Sequence, residues 1–112
     1  MATLRQVRAF IESLPESTEQ DHHGFPSFRV ADKIFATLPD PQHLHIMLDE
    51  PEVQMAVALG PDAIEELRWG SRLAGVRVSL AGVSRDLLSD LVLLAWQRKA
   101  PRRLRLPPST RG

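Results

Sequence analysis

The stretch Phe25-Pro26-Ser27-Phe28-Arg29-Val30-Ala31-Asp32-Lys33-Ile34-Phe35-Ala36-Thr37-Leu38 decides how this chain folds. Apolar and β-branched residues flank a polar break at Ala31-Asp32, the pattern of two strands joined by a tight turn. Phe28 and Val30 alternate with Arg29, while Ile34, Ala36 and Leu38 alternate with Phe35 and Thr37. Two registers remain open. A two-residue turn at Ala31-Asp32 pairs Phe28 with Phe35, whereas a three-residue loop puts Phe28, Val30, Ile34 and Ala36 on one face.

Upstream, Thr3 followed by Gln6 forms a capping box, and Leu4, Val7, Phe10, Ile11 and Leu14 recur at helical spacing until Pro15 ends the element. Residues 16–21 are polar and read as a loop or the start of an edge strand. Downstream, Pro39-Asp40-Pro41 is a turn, and Leu44, Ile46 and Leu48 alternate along the next strand. Asp49 then caps a second helix, with Pro51 in its first turn, Glu52 three residues on and Gly60 as its stop. Its buried stripe reads as Val53, Met55 with Ala56, and Leu59. Residues 61–67 suit a short helical turn; strand signals return weakly at Leu67-Arg68-Trp69 and clearly at Val76-Arg77-Val78-Ser79-Leu80. Ser84 caps the last helix, whose apolar face is Leu87, Leu88, Leu91, Leu94 and Ala95, extended by Trp96 and ended by Pro101.

The predicted order is α-β-β-β-α-β-β-α. Short connections between consecutive strands force antiparallel pairing, because a parallel return needs a long crossover. Three amphipathic helices covering one face of a five-stranded antiparallel sheet make a two-layer α+β domain. We expect a single domain over residues 1–101, followed by a basic, flexible tail over 102–112.

Size and composition agree. At 112 residues the chain buries roughly 65% of its unfolded surface, enough for one core. An apolar share of 43% and a charged share of 25% exclude global disorder. With no cysteine, disulfides, thiolate metal sites and cysteine nucleophiles are excluded, which suits a reducing cytoplasm. No apolar run approaches the ~20 residues a bilayer crossing needs, and no secretory signal is visible, so a cytoplasmic protein without membrane contact is expected. The zero net charge conceals an asymmetry. Arg98, Lys99, Arg102, Arg103, Arg105 and Arg111 put six cations in the last fifteen residues, leaving eight bases against fourteen acids before them, a net of −6.

The run Phe25-Pro26-Ser27-Phe28-Arg29-Val30, with Lys33-Ile34-Phe35-Ala36, resembles the hallmark of the MmcQ/YjbR-like family of small bacterial proteins. Trp69-Gly70, the strand Val76 to Leu80, Ala95-Trp96 and Ala100-Pro101 fall in that family's order, so the resemblance spans roughly residues 3–104. It implies one antiparallel sheet backed by helices, similar in topology to secretion chaperones, and a family commonly labelled DNA-binding. The chain departs from the family pattern twice. Ala31-Asp32 stands where glycines are usual, and Leu73-Ala74-Gly75 replaces a second aromatic after Trp69-Gly70.

Nothing here composes a catalytic site. Ser27, Ser71, Ser79 and Ser84 lack an elbow motif, and no glycine-rich phosphate loop is present. Asp49, Glu50 and Glu52 sit where a helix macrodipole favours acids. His43 and His45 share a strand face, which His22-His23 could approach from a neighbouring segment; they read as polar surface, and neither a metal nor any other cofactor is expected. Arg29, Lys33, Arg68, Arg72 and Arg77 lie on or beside strands. Sharing the open face, they would follow a phosphate backbone; paired with Asp32, Glu65 or Glu66, they would only solubilise it. Trp96 reads as core, while Trp69 is either core or a stacking platform. Tail arginines Arg102, Arg103 and Arg105 alternate with Leu104 and Leu106; six tail charges on phosphates would give a log-log salt slope of about −5.

The expectation is a non-enzymatic protein binding DNA through Arg29, Lys33, Trp69, Arg72, Arg77, Arg102, Arg103 and Arg105. The alternative is a protein-interaction or chaperone-like module, pairing with a protein partner or with itself through the sheet face or edge.

Overall fold

The computed structural model describes residues 2–104. The order is α1 (Leu4–Glu12), β1 (Ser17–His22), β2 (Phe25–Val30), β3 (Lys33–Asp40), β4 (His43–Met47), α2 (Glu50–Leu59), β5 (Ile64–Trp69), β6 (Arg72–Ser79), α3 (Arg85–Lys99) and a 3-10 turn at Arg102–Leu104. One sheet has the order β1-β2-β3-β4-β6-β5, and every neighbouring pair is antiparallel. The α+β class holds, but the sheet has six strands rather than five. The additional strand is β1, Ser-Thr-Glu-Gln-Asp-His, which has no apolar alternation because it lies at the edge and is held by backbone pairing to β2. β5 likewise begins at Ile64, inside a segment expected to be a helical turn.

Helix boundaries follow the caps. Gln6 N–H donates to Thr3 Oγ1 at 3.2 Å while Thr3 N–H donates to Gln6 Oε1 at 3.0 Å. Asp49 N–H donates to Glu52 Oε1 at 3.0 Å, and Leu87 N–H donates to Ser84 Oγ at 3.1 Å.

The two faces of the sheet can be read from its register. Phe28, Ala36, Ile46 and Val76 stand opposite one another across β2, β3, β4 and β6, with Leu44, Val78 and Ile64 in a second row. All seven are buried in the core under the helices, with Leu88, Leu91, Ala95 and Trp96 of α3. On the opposite face Gln20, Ser27, Thr37, His45, Arg77 and Glu65 form one continuous row across six strands. The stripe of α2 is narrower than its sequence pattern. Val53 and Ala56 are fully buried, whereas Met55 and Leu59 are 41% and 63% exposed.

The hairpin of β2 and β3 combines features of both candidate registers. Val30 pairs with Lys33 across a two-residue turn, and Ala31 and Asp32 both take positive φ, +51° and +64°. That is the type I′ geometry whose twist suits a hairpin. A bulge then places Phe28 opposite Ala36 rather than Phe35, and both aromatic rings reach the core. Alanine at positive φ is strained by about 1 kcal/mol, which asparagine largely avoids. Ala31→Asn is therefore expected to raise the melting temperature by roughly 5 °C. Unchanged thermal unfolding would show that the turn is not strained.

Candidate functional site

β4 is five residues long between neighbours of eight, and it stops at Met47, opposite Gly75. The hairpin tips at Ala31-Asp32 and Gly70-Ser71 therefore project past it as two arms of the same sheet end. The uncovered face between them is a concavity of about 870 Å³. Ile34, Thr37, His45 and Met47 line it, with Phe25 and Arg29 from β2 and Trp69, Arg72 and Leu73 from the far arm. At the open end the C-terminus of α3 contributes Arg98 and Lys99.

The basic residues predicted to act together fall into two groups. Arg29, Lys33 and Arg72 make no salt bridge among the described residues; Arg29 donates only to Ser27 Oγ, at 3.1 Å. Lys99 joins them. Partial burial holds its ammonium below the usual lysine range, Arg98 pushes the same way against Asp49, and Lys33 and Arg72 add to it. The negative end of α3 explains cations in its last turn. It does not explain why two separate hairpins bring Lys33 and Arg72 within electrostatic reach of that end.

The second group is neutralised. Arg77, expected on the interface, is instead held in the floor row: its Nη1 donates to His45 Nε2 at 3.0 Å, and it lies 3.7 Å from Asp40 and 3.6 Å from Glu65. Arg68 donates to Glu66 at 3.1 Å and to the Ser71 carbonyl at 3.1 Å. Arg98 clamps Asp49 through two bonds of 3.2 and 2.6 Å and donates to the Met47 carbonyl at 2.9 Å, fixing the end of β4.

Among the tail residues, Arg103 grips Glu16 at 2.9 and 3.0 Å and Leu104 packs on the core, so residues 102–104 fold back rather than leaving the domain. Arg102 makes no salt bridge among the described residues, and Arg105 lies outside them.

The two tryptophans have opposite fates. Trp96 is wholly buried, as expected. Trp69, for which core packing was one reading, is 58% exposed on the lip of the concavity beside Arg72. Sequence reasoning missed Lys99 as part of the site. Its only signal was the terminal charge run, and nothing local ties residue 99 to residues 33 and 72.

The histidines of the floor are committed to protein contacts. His43 Nδ1 meets Asp40 at 3.0 Å, and His45 Nε2 accepts from Arg77, which requires a neutral imidazole. No group of three or more histidine or carboxylate residues among the described residues is placed to hold a metal ion. Burial, then Arg77, hold the His45 pKa below the ordinary value of 6.5, with Asp40 and Glu65 opposing. The unfolded chain thus binds a proton first as pH falls, so the stability contribution of neutral His45 is lost below about pH 6.5. His45→Gln keeps an acceptor for Arg77 and should flatten the dependence of melting temperature on pH between 7.5 and 5.5. Equal slopes in the two proteins would rule out His45 as the source.

Fold and face together define a small α+β domain whose concave sheet presents cations without salt bridges, among the described residues, beside an exposed tryptophan. The chain belongs to the YjbR family, which matches it over residues 12–98. Its fold is similar to the crystal structure of protein DR2400 from Deinococcus radiodurans, which carries the domain DUF419. That likeness covers 93% of this chain and 86% of the other, at a TM-score of 0.74 and 22% identity. No curated protein matches it. No helix among the described residues is long and apolar enough to cross a membrane.

Proposed function

We propose that this protein is a non-enzymatic, cytoplasmic nucleic-acid-binding protein that takes its ligand on the concave sheet face. One observation carries the reading: Arg29, Arg72 and Lys99 converge from three different elements around one cleft, with Lys33 in electrostatic reach of Lys99, and none of the four forms a salt bridge among the described residues, although Asp32 and Asp49 also line the cleft. The lining sets Arg29, Arg72, Arg98 and Lys99 against Asp32 and Asp49, an excess of positive charge whose repulsion a polyanion relieves while releasing its own counter-ions. The body's net charge of −6 confines this attraction to the cleft and to whatever the tail arginines add.

Fluorescence anisotropy with a labelled oligonucleotide at 50 and 200 mM salt tests the proposal. Arg72→Gln with Lys99→Gln should weaken binding and reduce the magnitude of the log-log salt slope by roughly 1.5 to 2, while Arg77→Gln should leave the slope alone. A chain ending at Leu104 separates the cleft from the tail. Binding that disappears with residues 105–112, or that ignores the double substitution, removes the cleft from consideration. A protein-interaction role finds one supporting observation in β5, whose outer edge is unpaired among the described residues. Absence of oligonucleotide binding at low salt, together with concentration-dependent dimerisation by sedimentation, would favour it.

A further inference from the structure

We infer that the cleft selects single-stranded over double-stranded nucleic acid, stacking one unpaired base on Trp69 while Arg72, Lys33 and Lys99 hold the adjoining phosphates; this rests on the nucleic-acid reading above. The shape of the site is the first ground. Proteins that read a duplex insert a convex element, a helix or a two-stranded ribbon, into a groove. Here Arg29, Arg72 and Lys99 line a hollow, with Lys33 in electrostatic reach of Lys99, and a hollow receives a ligand instead of entering one.

Size is the second ground. β3 and β6 are separated by the single strand β4, and adjacent strands lie about 4.8 Å apart, so the arms stand roughly 10 Å apart at their base. That is a backbone-to-backbone spacing, so a ligand lies along the hollow over β4 rather than passing between the arms, and a single sugar-phosphate chain is narrow enough to do so. A duplex, whose major groove alone is about 12 Å wide, is too broad to lie there. The volume of about 870 Å³ suits a short segment of such a chain.

Trp69 is the third. The residue is 58% exposed on the lip, at the end of β5 and directly across the hairpin from Arg72. An exposed indole can stack only on a base whose face is free, and in a duplex those faces are covered by neighbouring pairs. Placing a phosphate-binding cation beside a stacking ring is the arrangement that single-strand binding uses, and it tolerates any base because every base has a π-face. The inference adds strand selectivity and a role for one aromatic to a charge argument that by itself distinguishes neither.

The test compares the full chain against a fluorescein-labelled dT12 and a 12-base-pair duplex at 50 mM salt. Intrinsic emission serves as the second readout, because Trp96 is fully buried and a ligand-induced quench therefore reports Trp69. We expect dT12 to bind at least tenfold more tightly than the duplex, to quench the tryptophan signal, and to lose tenfold or more on Trp69→Ala, with Trp69→Phe retaining most of it. Circular dichroism should show both variants folded, since the replaced ring is on the surface. Equal or tighter duplex binding, or dT12 binding indifferent to Trp69→Ala, overturns the strand selectivity while leaving the nucleic-acid reading standing. No binding of either probe overturns both.

Discussion

Replacing Gly75 by alanine is expected to destabilise the domain by about 3 kcal/mol or more, among the largest effects available to a single methyl group. Gly75 lies in β6 where it pairs with Met47 on one side and Leu67 on the other. A Cβ there would fall on the Ile46 carbonyl oxygen, with the Ile46 carbonyl carbon at 2.9 Å and Leu48 N at 3.0 Å. These are backbone atoms of the β4–α2 junction, already fixed by the clamp from Arg98 to Met47 O and Asp49, so they cannot swing aside as a side chain would. The strands must part instead, and β4–β6 is the seam joining the two halves of the sheet. Gly24→Ala is the useful comparison. It also strains the backbone, at φ +93°, but its Cβ meets nothing within 4 Å, and it should cost only about 1 kcal/mol. Urea denaturation distinguishes the two. Equal midpoints for both variants would mean that the seam can open without loss.

Trp96→Ala should cost about 3–5 kcal/mol, a large share of the roughly 5–15 kcal/mol that holds a domain folded. Trp96 is the largest of the fully buried side chains and sits in the core between α3 and the sheet. Its indole N–H also donates to the Pro15 carbonyl at 3.2 Å, tying α3 to the turn after α1. Alanine leaves a cavity and an unpaired carbonyl together. Trp96→Phe keeps most of the ring volume and loses chiefly the hydrogen bond, so its expected cost is nearer 1–2 kcal/mol. Thermal unfolding should fall by roughly 15 °C or more for alanine and by several degrees for phenylalanine. A shift under a few degrees for Trp96→Ala would show that the core closes over the gap.

Much of the architecture was legible in the chain because burial imposes a period. The caps at Thr3 and Ser84, the Asp49–Glu52 pairing and the alternation through Phe28, Val30, Leu44, Ile46, Val76 and Val78 all report which side of an element faces the core. β1 was legible only as a loop or the start of an edge strand, since an edge strand of polar residues buries nothing and leaves no such period to decide between them. The outward position of Met55 and Leu59 was hidden for the opposite reason: their apolar pattern extends beyond the surface that β5 and β6 offer to α2.

The site divides along the same line. Sequence alone established the helix-backed antiparallel sheet, the basic character of Arg29, Lys33 and Arg72, and the scarcity of tryptophan, because residue types and local periodicity are properties of neighbours in the chain. Tertiary structure alone decided that Arg77 is spent on His45, Asp40 and Glu65, that Trp69 stands in water, and that Lys99 lies within electrostatic reach of Lys33 and Arg72. Those outcomes depend on where β4 stops and which strand lies beside it. Strand order and strand length place residues far apart in sequence within reach of one another, and no local pattern of side chains encodes that distance.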